Sequence, residues 1–210
     1  FSLLGLSPNT PDPLAKSAVV PTLADDWTEF ADGVGSAITV DQGRGGDGGI
    51  LLFVHGVNTS FESAILAAAR LKLKGNLPGI PVVYSWPAGD LIRTNNGVPS
   101  NFGYTADVNI ALRNCASFQN FLVEFTKTFE SKNVTLIAHS RGSDMVVSGL
   151  TACRAAPPGT ERVSPLVKHV IYAAPDVDKS EFVDITPQIQ SIAGDITLYA
   201  SDADLALFVS

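Results

Sequence analysis

The sequence predicts an α/β fold, with a mostly parallel central sheet covered by helices on both faces. Three observations carry that expectation. Short apolar runs rich in β-branched residues, ILLFV at 50–54, VTLIA at 134–138 and VKHVIYAA at 167–174, have the length and composition of buried strands. Stretches of helical periodicity lie between them, and strand–helix alternation is the pattern of crossover helices covering a parallel sheet. A chain of 210 residues, 45% apolar and 17% charged, is also long enough to bury a substantial core as one domain.

Taken in order, residues 1–26 are rich in Pro, Ser and Asp and show no period. They read as a segment draped on the surface, and an irregular lead-in is expected over 1–35. Residues 36–40 (SAITV) offer one strand near the sheet edge. The loop DQGRGGDGG at 41–49 contains a nominal G-x-G-x-x-G at Gly43, Gly45 and Gly48. A dinucleotide fingerprint must follow a strand and open a helix, whereas these glycines precede a strand, so no cofactor is expected there.

The 50–54 run leads into His55-Gly56-Val57-Asn58. Thr59 with Glu62 forms a capping box for a helix whose apolar face is Phe61, Ile65, Ala69 and Leu73. PVVYSW at 81–86 is the next strand, and the polar loop over 87–99 is long enough to help wall a pocket. The longest helix begins near Thr105 with Val108, Leu112, Cys115, Phe118, Leu122, Phe125 and Phe129 on its apolar face, a stripe best explained as core packing. Ala155-Ala156-Pro157-Pro158-Gly159 stops the following helix. The 167–174 strand ends at Pro175-Asp176-Val177-Asp178, with Asp178 and Glu181 as cap and N3 of a short helix. DITLYA at 195–200 is the last strand, followed by Ser201-Asp202-Ala203-Asp204-Leu205.

Composition narrows the function classes. Fourteen basic against 21 acidic residues give a net charge of −7 without a basic cluster, which argues against nucleic acid or an anionic membrane surface as partner. No apolar run approaches the ~20 residues of a membrane span. The chain starts with Phe, so processing or trimming at that end is expected. FSLLGL at 1–6 is too short for a signal peptide, and a soluble protein, cytoplasmic or exported, is the expectation. Cys115 and Cys153 with three scattered histidines do not make a metal site. Buried free thiols are expected, or a single disulfide if the protein is exported.

The chemistry concentrates at 134–145, VTLIAHSRGSDM. A strand, small–x–Ser–x–Gly, then a helix is the context of a nucleophile elbow, in which Ala138 and Gly142 let strand and helix approach closely while Ser140 sits on a strained turn. In such sheets the functional loops gather beyond the carboxyl ends of the strands. His55 to Asn58, Ser140, Asp176, and Asp202 with Asp204 fall there.

In this order, FVHGVNTSFESA, VVYSWPA, LIAHSRG, AAPDVD and TLYAS-x-x-D resemble the α/β-hydrolase superfamily in its lipase/esterase-like branch. They resemble most closely a bacterial α/β-hydrolase family catalogued as a domain of unknown function. The resemblance covers a core over 50–207 of a single domain. It implies Ser140 as nucleophile and an oxyanion hole made of the backbone N–H groups of Val57 and Arg141. His55, Gly56 and Gly142 would be supports, Gly56 by allowing a tight loop conformation. The acid would be Asp204, with Asp176 and then Asp202 as alternatives.

The departure from the family pattern is the base, because no His follows Asp204. His139 adjoins the nucleophile on the elbow, His55 reads as a buried structural residue, and His169 starts its strand about 16 Å from the active edge at ~3.3 Å per residue. A truncated C-terminus, with the last strand and a His-bearing loop beyond Ser210, is one expectation; a degenerate site is the other. The implied activity is ester cleavage through an acyl-enzyme on Ser140, on a small-molecule ester and with no cofactor. The alternative is a catalytically inactive scaffold acting as a binding protein. The polar stretch over 90–104 argues mildly against long acyl chains, and nothing in the sequence fixes an oligomeric state.

Overall fold

Two strands set the architecture. β1 (Ile50–Val54) and β3 (Val134–His139) pair in parallel, Ile50 opposite Val134 through Val54 opposite Ala138. Both are apolar along nearly their whole length because both faces of the sheet are covered where they run. The computed structural model describes residues 26–88, 101–129, 133–154 and 165–200. With β2 (Ile80–Tyr84), β4 (Val167–Ala173) and β5 (Ala193–Tyr199), the strands form one parallel sheet in the order β2-β1-β3-β4-β5. The chain steps outward from β1 to β2, then crosses back to the other side of β1 for β3 and continues to β5. That reversal makes the carboxyl ends of β1 and β3 the topological switch point, the place where open α/β sheets bind their ligands.

The helices are α1 (Trp27–Gly43), α2 (Phe61–Lys74), α3 (Asn101–Thr128), α4 (Gly142–Arg154) and α5 (Lys179–Gln190). They cover both faces unevenly. On one face Leu51, Phe53 and Ile137 pack with Ala68 and Leu71 of α2. On the other, Leu52, Val54, Leu136, Val170 and Tyr172 meet side chains of α1, α3, α4 and α5. Fully buried Phe118, Leu122 and Phe125 of α3 each stabilise the fold by about 1.5–3 kcal/mol. At the far edge β5 is largely exposed, including Leu198 and Tyr199.

Several sequence expectations are corrected. The irregular lead-in over 1–35 gives way to helix from Trp27 onward, and the strand expected at 36–40 is the last part of α1. Asp26 caps that helix by accepting from Glu29 N–H. Trp27, Phe30, Ala31, Val34 and Ile38, a helical stripe, join the core, and the Trp27 and Phe30 rings meet Phe121 and Phe129 edge-on. This packing overrides the strand preference of Ile38, Thr39 and Val40. The cap of α2 is Ser60, whose hydroxyl accepts from Ser63 N–H, while the Thr59 hydroxyl donates to the Val57 carbonyl. On α3 the buried stripe is Ala111, Phe118, Leu122 and Phe125, continued by Phe129, and Leu112 is turned outward at 57% exposure. The Asp178 cap of α5 is present, accepting from the N–H groups of Ser180 and Glu181. Cys115 is a half-buried free thiol; the side chain of Cys153 and the loop over 89–100 lie outside the described residues. Among the described residues no helix is long and apolar enough to cross a membrane.

Candidate active site

Ser140 sits immediately after the central strand β3 with φ +50°, a left-handed conformation that an L-residue adopts only when its surroundings enforce it. The surroundings are specific. Its N–H donates to the Ala173 carbonyl at the end of β4 (3.1 Å), and its carbonyl accepts from Ser143 N–H (2.9 Å) and Asp176 N–H (3.4 Å). Among the described residues four non-glycines have positive φ. Asn76 follows α2, whereas Asn58, Ser140 and Ala174 all lie just past the carboxyl ends of β1, β3 and β4. Backbone strain is concentrated on one edge of the sheet, as it is at functional sites.

Two glycines let the elbow form. A Cβ at Gly142 would stand 2.5 Å from the His55 carbonyl oxygen and 2.8 Å from that of Val54, so the first turn of α4 rests directly on β1. A Cβ at Gly56 would stand 2.8 Å from Ser140 Cβ and 3.1 Å from both His139 Nδ1 and the His139 carbonyl. The turn after β1 therefore touches the elbow. Gly56 is not among the positive-φ residues, so its service is room against Ser140 rather than an unusual backbone conformation, which corrects the expectation for it.

The histidines have separate fates. His55 is buried at 1% exposure, and its ring stacks on Trp86 with centroids 5.4 Å apart and planes 4° from parallel. Its Nε2 accepts from Trp86 N–H (3.1 Å) and faces the Ser85 hydroxyl (3.2 Å), so the ring proton lies on Nδ1, which donates to the Gly56 carbonyl (2.9 Å). Trp86 Nε1–H in turn donates to the His55 carbonyl (2.8 Å). This is a support for the turn, with both ring nitrogens engaged. The His139 ring lies against Gly56. His169 is at the opposite end of the sheet, opposite Thr135 and Asp195 in register, with Nδ1 3.1 Å from Asp195 Oδ2.

The carboxylates divide likewise. Asp176 is 4% exposed and its Oδ2 is 2.9 Å from Arg141 Nη2, while Arg141 Nη1 is 2.9 Å from Asp144 Oδ2. Burial, helped by the charges of Asp176 and Glu181, pushes the Asp144 carboxyl up to about 6 against the hydrogen bond and charge of Arg141, which pull it down. Asp202 and Asp204 lie outside the described residues. Among those described, no group of three or more His, Cys, Asp and Glu residues converges to hold a metal.

The structure thus brings together Ser140, the His55–Gly56–Val57 turn, Arg141, Gly142 and Asp176, and it separates His169 from them. Sequence reasoning missed the Trp86 partner of His55 and the side chain of Arg141, a residue for which the elbow motif gives a role only to the backbone. The Arg141–Asp144 spacing of i,i+3 was the one local signal for the latter.

Comparison with family models gives a match over residues 39–210 to a family described as "Alpha/beta hydrolase of unknown function (DUF900)". Comparisons with curated proteins and with solved structures give no match.

Proposed function

The chain belongs to this family of α/β hydrolases, and on that premise we propose that it is a serine hydrolase cleaving carboxylic esters through an acyl-enzyme on Ser140. The observation that carries the proposal is the left-handed Ser140 at the carboxyl end of the central strand, with the Gly56 turn packed against it.

In the proposed reaction a base takes the Ser140 hydroxyl proton as Oγ attacks the ester carbonyl carbon. Negative charge moves to the carbonyl oxygen, where the backbone N–H groups of Val57 and Arg141 stabilise it. The tetrahedral intermediate collapses, the alkoxide leaves with the proton from the base, and water repeats the sequence on the acyl-enzyme. His55 supports this arrangement from behind. Its Nδ1–H holds the Gly56 carbonyl, and a planar trans peptide then aims the Val57 N–H in the opposite direction. We assign the acid to Asp204 rather than Asp176, because the Asp176 carboxylate already pairs with Arg141. The base is a residue other than His55 and His169, the first having both ring nitrogens bonded and the second lying at the opposite end of the sheet.

The test is hydrolysis of p-nitrophenyl esters, with fluorophosphonate labelling of Ser140, by protein expressed from its full reading frame. Ser140→Ala is expected to lower the rate at least about a thousandfold and abolish labelling. Unchanged hydrolysis in that variant refutes the nucleophile. The engaged state of His55 favours one second reading, a scaffold that binds an ester-like ligand without cleaving it; wild-type protein that neither hydrolyses nor labels supports that reading.

A further inference from the structure

We propose that Arg141 is a positioning residue whose guanidinium clamps the nucleophile turn between the first turn of α4 and the loop after β4. The proposal rests on the reading of Ser140 as nucleophile and adds a device that regulates it.

The geometry is that of a bridge. Arg141 follows Ser140 directly, and its two terminal nitrogens each lie 2.9 Å from a different carboxylate, Asp144 Oδ2 on α4 and Asp176 Oδ2 on the β4–α5 loop. All three side chains are largely withdrawn from water, at 13%, 16% and 4% exposure. A guanidinium offers its donors in a rigid planar fork, so holding two carboxylates at once fixes the fork in direction as well as position. The same loop also reaches the elbow by backbone, Asp176 N–H donating to the Ser140 carbonyl. Side chain and backbone together close a ring: Ser140, Arg141, Asp176 and back to Ser140. The peptide that closes the elbow carries the Arg141 N–H proposed for the oxyanion hole, so loosening the bridge frees both the nucleophile and one of its electrophilic partners.

The Asp144 arm responds to pH. The groups that face it are Arg141 on the elbow, Asp176 on the β4–α5 loop, Glu181 on α5 and Cys115 on α3. Burial and the two acidic neighbours outweigh Arg141, so this carboxylate takes a proton near pH 6 and its ion pair with Arg141 is then lost. Asp176 remains as the second arm. The clamp is therefore complete above about pH 6 and half-released below it.

The experiment is the rate of fluorophosphonate labelling of Ser140 from pH 5 to 8, on protein expressed from its full reading frame, with thermal unfolding of each variant measured alongside. Arg141→Ala is expected to label at least tenfold more slowly than the native protein at pH 8, and Arg141→Lys, which keeps the charge but not the fork, to recover part of the loss. Asp144→Asn imitates the half-released clamp. It is expected to label several-fold more slowly at pH 8 and to converge on the native rate as pH falls through about 6. A merely structural role would leave the ratio of the two rates constant with pH. If Arg141→Ala does not fold, the Asp144→Asn convergence decides alone. Native labelling rates in Arg141→Ala, or a pH-independent ratio for Asp144→Asn, overturn the clamp while leaving the nucleophile intact. Absence of labelling in the native protein overturns the nucleophile and the clamp with it.

Discussion

Replacing Gly142 by alanine puts a methyl carbon 2.5 Å from the His55 carbonyl oxygen and 2.8 Å from that of Val54. An ordinary carbon–oxygen contact is about 3.3 Å, so the deficit is roughly 0.8 Å at the closer atom. Neither oxygen belongs to a side chain that can swing aside, and Trp86 Nε1–H already holds the His55 carbonyl. The first turn of α4 must lift from β1 instead. Overpacking of this kind costs about 1–3 kcal/mol, against a gain of about 0.5–1 kcal/mol from replacing a helical glycine. The net expectation is a loss of about 1–2 kcal/mol, or roughly 2–8 °C in Tm for a chain of this size. The functional cost is larger, because the lift separates Ser140 from the Gly56–Val57 turn by most of an ångström, and a misplacement of that order costs about a hundredfold in rate. Thermal unfolding by circular dichroism and fluorophosphonate labelling of Ser140 measure the two effects on one sample. A Gly142→Ala protein with native Tm and native labelling rate would refute the claim that the elbow needs this close approach.

The other expectations are smaller and local. Asp144 in the native state takes a proton at about 6 against an ordinary 3.8, so the folded protein binds more protons than the unfolded chain between those values. Its contribution to stability is full below about pH 4 and declines by up to about 1.4 kcal/mol per pH unit as pH rises through 6. Urea unfolding across pH 4–7 should show that slope reduced in Asp144→Asn, and identical slopes count against the burial assigned to this carboxyl. Ser60→Ala should lower stability by about 1 kcal/mol through loss of the α2 cap, with Thr59→Ala costing less; the reverse ranking would restore Thr59 as the cap.

What the sequence makes legible is what local composition determines. β1 and β3 announce themselves because a strand buried on both faces has almost no polar residue to confuse its pattern, and β4 does so by its β-branched residues despite an exposed Lys168. The elbow is legible because a left-handed serine needs small neighbours, and Ala138 and Gly142 flank it. The misreadings come from competition between windows. Over five residues SAITV favours a strand, but over twelve the spacing of Trp27, Phe30, Ala31, Val34 and Ile38 is helical, and the longer pattern wins because aromatic side chains of α3 wait to be covered. At the start of α2, Thr59 and Glu62 fit the capping-box spacing, yet Ser60 is the cap because the Thr59 hydroxyl turns back to Val57. The Arg141 bridge was out of reach for another reason. Which way its side chain turns depends on the β4–α5 loop lying over the elbow, a fact of topology that no local window contains.

The three strained residues at the active edge show why the site is a property of the sheet rather than of a pentapeptide. A left-handed non-glycine costs about 1–3 kcal/mol and persists only when neighbours over-determine it. Here the restraints come from the next strand outward. The turn after β1 is held by Trp86, just past β2, through the His55 carbonyl and Nε2. Ser140 after β3 is held by the Ala173 carbonyl at the end of β4, and Ala174 after β4 by the Tyr199 carbonyl at the end of β5 (2.7 Å). Each of these turns thus borrows its conformation from the neighbouring strand outward, in a chain of hydrogen bonds that runs from Ser140 to the exposed edge of the sheet. Arg141 adds the cross-tie, since the loop it grips through Asp176 begins at Ala174, the residue that β5 restrains. The elbow motif specifies a turn that can be strained; the order β1-β3-β4-β5 is what keeps it so.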